Sequence, residues 1–272
     1  MKYKLLVCDF DGTLYTDDFK VTQETIDAVE EFKARGGKFI IATGRLYQAV
    51  KPFAELFKLT DEVITYQGSG VYDLKTDTLL MSQEIEKDLA VSVYSFLYKK
   101  YSDITSPMLF FDDKCIVEEE NEFNRYFASI VKVPLVCVNE KLDSYVEKHN
   151  INARKILSLT DNNYIRMVIA DLVAEFGDKL NINQSSKGLL ECVNNKASKG
   201  NAVKWIAERY NIPREQICAI GDAENDNSMI QFAGLGIAMG NAMEETKAVA
   251  DYVCDTNNNN GVAKVIKEIL LK

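Results

Sequence analysis

Histidine is almost missing from this chain: only His149 occurs, in a polar EKHN stretch. That excludes a histidine-rich zinc site, phosphohistidine chemistry on two histidines and a Ser-His-Asp triad supplied within the chain. Paired cysteines are missing as well. The six cysteines (Cys8, Cys115, Cys137, Cys192, Cys218 and Cys254) form no CxxC pair, and most sit in apolar strand-like runs, so they read as buried free thiols. Uninterrupted apolar runs reach only a few residues, which excludes a membrane span. The opening MKYKLLVCDF meets Asp9 after an apolar stretch too short for a secretory signal, and a cytoplasmic chain is expected. Basic charge is in deficit: 32 Lys and Arg stand against 41 Asp and Glu, a formal charge of -9 with no basic stripe, so nucleic acid is not an expected partner. The chemistry must therefore run on carboxylates.

What is there reads as an interrupted α/β protein. A chain of 272 residues exceeds the commonest domain size, and a core carrying an insertion is expected. KLLVC predicts a buried strand, and Ile26, Val29 and Phe32 share a helical face ended by Gly36 and Gly37. KFIIA follows as a strand, a helix is predicted over Arg45 to Phe57 with Pro52 kinking or splitting it, and EVITY is a third strand. After residue 187 the rhythm resumes: AVKWIAERY is a helix, ICAIG a strand, and LGIAM, DYVCD and a last helix from Val262 to Leu270 follow. Strands alternating with helices predict a parallel sheet with crossover helices. Between 84 and 186 the texture changes, with strand-like MLFFDD, KCIVEE, KILSLT and KLNINQ among longer helices, and this stretch is predicted to be an inserted α+β domain. The core is thus 1–83 with 187–272. The NNNN run at 257–260 reads as a surface loop.

The strand KLLVC runs into Asp9-Phe10-Asp11-Gly12-Thr13-Leu14, placing two carboxylates at the carboxyl end of a parallel strand, where open α/β sheets bind ligands. Gly12 allows a tight turn that lets both acids face one ligand. By itself such a pair is also the composition of a solvated turn. KFIIA ends in Thr43-Gly44-Arg45, a strand running into a helix start, which suits a phosphate through its amides and hydroxyl; a capping threonine with a surface arginine is the plainer alternative. ICAI ends in Gly221-Asp222-Ala223-Glu224-Asn225-Asp226 and brings further acids to the same edge. Three carboxylates and a backbone carbonyl are what a hard, octahedral Mg²⁺ requires, and the spacing of a calcium-binding EF-hand is absent. Lys199, at a helix start, opposes the helix dipole, which an anion nearby would explain and a solvated side chain would also permit.

DFDGTL, ATGR, SKG and GDAENDNSM, in this order and at these separations, resemble the four motifs of the haloacid dehalogenase-like hydrolases, and more closely their Cof-type branch, whose cap is inserted between the second and third motifs. The resemblance covers essentially the whole chain. It implies a Rossmann-like doubly wound parallel sheet core with an inserted α+β cap. It also implies an Mg²⁺-dependent phosphatase in which Asp9 attacks phosphorus and Asp11 serves as general acid and then base. Asp9, the Asp11 carbonyl and Asp222 would hold the metal, with Asp226 behind them. Gly12, Thr43, Gly44 and Lys199 would contact the phosphoryl group, with Asn225 and Arg45 close by. One position departs: where such proteins often carry Asn-Gly after the third strand, this chain has Gln67-Gly68.

The implied substrate is a small phosphorylated metabolite, a hexose phosphate by analogy, read by the cap closing as a lid. Two other readings stay open. A phosphomutase would use the same Asp9 chemistry and return the phosphoryl group to product, and a non-catalytic regulatory protein would keep the fold without turnover.

Overall fold

The structure, a computed structural model, describes residues 1–59, 61–131 and 133–272. Its strands are β1 (Leu5–Asp9), β2 (Lys38–Ala42), β3 (Glu62–Thr65), β4 (Gly70–Asp73), β5 (Thr78–Ser82), β6 (Thr105–Phe111), β7 (Lys114–Val117), β8 (Leu135–Cys137), β9 (Lys155–Thr160), β10 (Leu180–Ser186), β11 (Leu189–Asn194), β12 (Ile217–Gly221), β13 (Leu235–Ala238) and β14 (Tyr252–Val253). They divide between two compact units, one of Met1–Gly44, Val50–Met81 and Ser198–Lys272, the other of Arg45–Ala49 and Ser82–Ala197.

In the first unit an eight-stranded sheet runs β14-β13-β12-β1-β2-β3-β4-β5. The pairs from β14 to β3 are all parallel. β1 lies at the centre and all five of its residues are buried, which is why it reads as an unbroken apolar run instead of an alternating one. Leu5, Val7, Ile40, Ile64 and Ile217 join Val203 and Ile206 of the helix Lys199–Arg209 in one core cluster. The alternate positions Leu6, Cys8, Phe39 and Ile41 are equally buried on the opposite face. The helix Gln23–Ala34 starts at Thr22, whose hydroxyl accepts from the Thr25 amide, and buries Ile26, Val29 and Phe32 as its periodicity requires.

Two features depart from the sequence reading. β3 is followed by Tyr66, Gln67 and Gly68 with φ of 51°, 59° and 93°, and this left-handed turn sends β4 back antiparallel on β3. The second helix-like segment is ordered as Tyr47–Leu56, with Pro52 inside it. The helix therefore begins beyond Thr43-Gly44-Arg45, and no helix N-terminus sits at that motif.

The second unit holds a six-stranded sheet in the order β10-β11-β9-β6-β7-β8, antiparallel apart from the β7–β8 pair. β11 pairs with both β10 and β9, so this sheet continues past residue 186. The helices Lys87–Tyr101, Leu142–His149 and Ile165–Phe176 bury Val93, Leu97, Val146, Val168 and Leu172 against Leu109, Ile156 and Cys192 of the sheet. All six cysteines are free; Cys137 and Cys254 are half-buried and the other four buried. Among the described residues no helix is long and apolar enough to cross a membrane.

Candidate active site

β1 ends on Asp9. The parallel registers place Ala42 opposite Asp9 and Ile220 opposite Cys8, so the loops leaving β2 and β12 start on either side of it. From β1 the chain goes to β2 and β3 on one side, while β12, β13 and β14 fill the other, so Asp9 stands where the strand order reverses.

Lys199 opens its helix behind the cap residue Ser198, which accepts from the Asn201 amide. The unfavourable dipole there is met by two carboxylates: the Lys199 Nζ donates to Asp9 Oδ1 at 2.5 Å and to Asp226 Oδ1 at 2.6 Å. Lys199 is 1% exposed and Asp226 fully buried. Burial pulls the ammonium down, but Asp226 and Asp9 overcome it and hold Lys199 above its ordinary value. Asp226 also fixes the turn after β12, since its Oδ2 accepts from the amides of Asp222 at 2.9 Å and Ala223 at 3.0 Å. Thr13 ties the turn after β1 to the same place by donating to Asp222 Oδ1 at 2.9 Å.

One oxygen from each of Asp9, Asp222 and Asp226 lies within 4.8 Å of the others. Three carboxylates thus face one ammonium. Burial first, and Asp226 next, hold the Asp9 carboxyl well above the usual carboxylate range against the pull of Lys199. The same two causes push Asp222 up to about 7. A cluster of hard oxygen donors with more negative charge than its lysine balances is the environment a divalent Mg²⁺ fits. Asn225 adds a buried Oδ1 without a hydrogen-bond partner.

Of the ten residues expected at the site, the structure gathers Asp9, Asp11, Gly12, Thr43, Gly44, Lys199, Asp222, Asn225 and Asp226 in the first unit; Arg45, half-buried, groups with the second. Asp11 is exposed at the start of a turn closed by the Tyr15 amide on the Phe10 carbonyl at 2.9 Å. Gly12 has φ of 80°, and a β-carbon there would stand 2.4 Å from Asp222 Oδ2. Thr43 is fully buried, and its carbonyl accepts from the Gln67 amide at 3.1 Å.

Gln67, singled out in the sequence only as a departure, touches two of the expected residues. Its Oε1 accepts from Asn225 Nδ2 at 2.8 Å, and its Nε2 occupies the space a side chain at Gly44 would need. Gly68 brings this turn against the start of the Lys199 helix: a β-carbon at 68 would lie 2.2 Å from the Ser198 carbonyl oxygen. Gly68→Ala is expected to cost about 1–3 kcal/mol through its left-handed backbone. Because backbone must yield to backbone, it should also move Lys199 and lower turnover by roughly 10-fold or more. Denaturant midpoint and kcat measured together test this; two unchanged values would show the contact to be slack.

The chain is also similar to known proteins. A family profile described as haloacid dehalogenase-like hydrolase matches residues 6–266. YxeH of Bacillus subtilis, a phosphatase by name, is 31% identical over 99% of both chains. The 5-amino-6-(5-phospho-D-ribitylamino)uracil phosphatase YitU of the same organism is 26% identical over 97% of this chain and 96% of its own. A crystal structure of a haloacid dehalogenase-like hydrolase from Bacteroides thetaiotaomicron superposes with a TM-score of 0.85 at 25% identity, covering 98% of this chain and 99% of the other.

Proposed function

The chain belongs to the haloacid dehalogenase-like hydrolases and is a phosphatase, and from that premise we propose that it hydrolyses small sugar phosphates, hexose phosphates foremost, through a phosphorylated Asp9. The observation that carries this reading is the group of buried Asp9 and Asp226, both paired with Lys199, and half-buried Asp222 beside them. A carboxylate cannot approach a phosphate dianion until cations offset the repulsion, and phosphoryl transfer is chiefly positioning and charge stabilisation.

Asp9, the Asp11 carbonyl and Asp222 would hold Mg²⁺, which when bound supplies the positive charge that this cluster lacks. Lys199, Thr43 and the Gly44 amide hold the phosphoryl oxygens. An Asp9 carboxylate oxygen bonds to phosphorus as the ester P–O bond breaks, and the departing oxygen takes the proton of Asp11. Water then attacks the acyl phosphate and gives its proton to Asp11, releasing phosphate and restoring Asp9. Splitting one difficult displacement into two easier ones is the gain. Specificity for the leaving group is assigned to the unit containing Ser82–Ala197. The sugar-phosphate class is supported by YitU, named for a phosphate on a ribitylamino chain.

A panel of phosphomonoesters assayed for inorganic phosphate tests the reading. Release is expected to be strongest with sugar phosphates, to vanish in EDTA and to return with added Mg²⁺. Release that survives chelation would remove the metal from the mechanism, and product phosphorylated at a new position without free phosphate would replace hydrolysis by mutase action.

A further inference from the structure

The four asparagines at 257–260 are not a plain surface loop. Asn257 is 5% exposed, and its Nδ2 donates to the Tyr15 carbonyl at 3.1 Å and to Asp17 Oδ1 at 3.0 Å. Its backbone amide donates to Asn241 Oδ1 at 3.0 Å, and Asn241 Nδ2 donates in turn to the Gly12 carbonyl at 2.8 Å. Asn258 grips Asp17 from both sides, donating to its Oδ2 at 2.9 Å and accepting from its amide at 3.1 Å. Asn260 holds the far end of the same segment, accepting from Thr22 Oγ1 at 2.7 Å and donating to Glu24 Oε2 at 2.9 Å. Three of the four carboxamides therefore close on residues 15–24.

The two backbone carbonyls held this way belong to the turn that follows Asp11. Gly12 is the next residue, and Tyr15 forms a β-bridge with Asp11 itself. Asp11 is exposed, so burial does not fix it as it fixes Asp9, and the turn that carries it bears on its position. A carboxamide suits this task because it offers donors to carbonyls and an acceptor to an amide at once.

We infer that Asn257, with Asn241, is a positioning pair that holds the turn presenting Asp11 to the leaving group. The inference rests on the proton-transfer role proposed above for Asp11. Asn257→Ala is then expected to impair chiefly the step in which the ester oxygen takes up a proton, and to leave in place Asp9, Lys199 and Asp222, which other bonds hold. The bond that breaks is P–O in every case; what changes is whether the departing oxygen needs a proton. A nitrophenolate leaves well without one, and a sugar alkoxide does not.

The test measures kcat and KM on p-nitrophenyl phosphate and on the best sugar phosphate of the panel, for the wild type, Asp11→Asn, Asn257→Ala, Asn241→Ala and the double variant of Asp11 and Asn257. Asp11→Asn should lose about 10²- to 10⁴-fold on the sugar phosphate and much less on the nitrophenyl ester. Asn257→Ala should lose roughly 10- to 100-fold in kcat on the sugar phosphate with KM little changed, again with a smaller loss on the nitrophenyl ester. Added to Asp11→Asn, it should cost almost nothing further, because the two changes disable one function. Equal losses on both esters, or full additivity in the double variant, would overturn the positioning role. If Asp11→Asn itself shows no preference between leaving groups, the fault lies in the assignment of Asp11 and the inference falls with it; a preference in Asp11→Asn but not in Asn257→Ala defeats the inference alone. Should Asn257→Ala fail to fold, the exposed Asn241, which reaches Gly12 directly, decides by the same comparison.

Discussion

Asp9→Asn is expected to abolish phosphate release, by roughly 10⁴- to 10⁶-fold, while the protein stays folded. The side chain keeps its shape but can no longer form an acyl phosphate, so acid-quenched reactions should also show no phosphorylated protein. Stability should not fall with activity. In the absence of metal the ionised Asp9 is held in place against burial and against Asp226, which is why its carboxyl is raised. A raised carboxylate contributes stability below its ordinary range near 3.8, and that contribution is lost as pH climbs through the folded-state value. At neutral pH in EDTA the neutral amide removes this cost, and Lys199 retains Asp226 as a partner. Denaturant unfolding in EDTA should therefore place the variant at or above the wild type. Substantial turnover by Asp9→Asn would end the covalent mechanism, and a large loss of stability would show that the Asp9–Lys199 pair holds the fold together.

The parts of this site visible in the sequence were those where chemistry and secondary structure coincide locally. Asp9, Thr43 and Asp222 each follow a short apolar run, and a run that is buried on both faces marks a central parallel strand whichever residues surround it. Lys199 was legible through a conflict, an ammonium at a helix start, and the structure resolves that conflict with Asp9 and Asp226. Gln67, Asn241 and Asn257 were illegible for a physical reason. A carboxamide has no charge and no periodicity to betray its partner, and theirs lie 158, 229 and 242 residues away along the chain. The NNNN run shows the limit well: its composition is that of a solvated loop, and only the approach of Tyr15 and Asp17 turns it into a clamp. β4 was hidden because two of the three left-handed residues in the turn before it are Tyr66 and Gln67, types that announce no turn, with Gly68 the one that does. β8, of three half-buried residues, offers too short a pattern to read.

Lys199→Met should have the second large effect, and the size of its stability loss depends on the metal. The ammonium is 1% exposed and is the cation bridging Asp9 and Asp226. Methionine fills a similar length of apolar stem but leaves two buried carboxylates facing each other. Breaking a buried pair from one side typically costs about 3–5 kcal/mol, because the remaining charge has lost its partner and cannot reach water. In EDTA the variant is therefore expected to unfold at much lower denaturant, and protonation of the stranded carboxylates should recover part of the loss as pH falls. Added Mg²⁺ should recover part of it at neutral pH, since a cation that binds only the folded cluster stabilises it by mass action. Turnover should stay low even then, by roughly 10²- to 10³-fold, because the lost ammonium also stabilised charge on the transferring phosphoryl group. A variant as stable as the wild type in EDTA would mean that the carboxylates do not depend on Lys199 for their balance. Turnover within about 2-fold of the wild type at saturating Mg²⁺ would remove Lys199 from phosphoryl transfer and leave it a purely structural counter-ion.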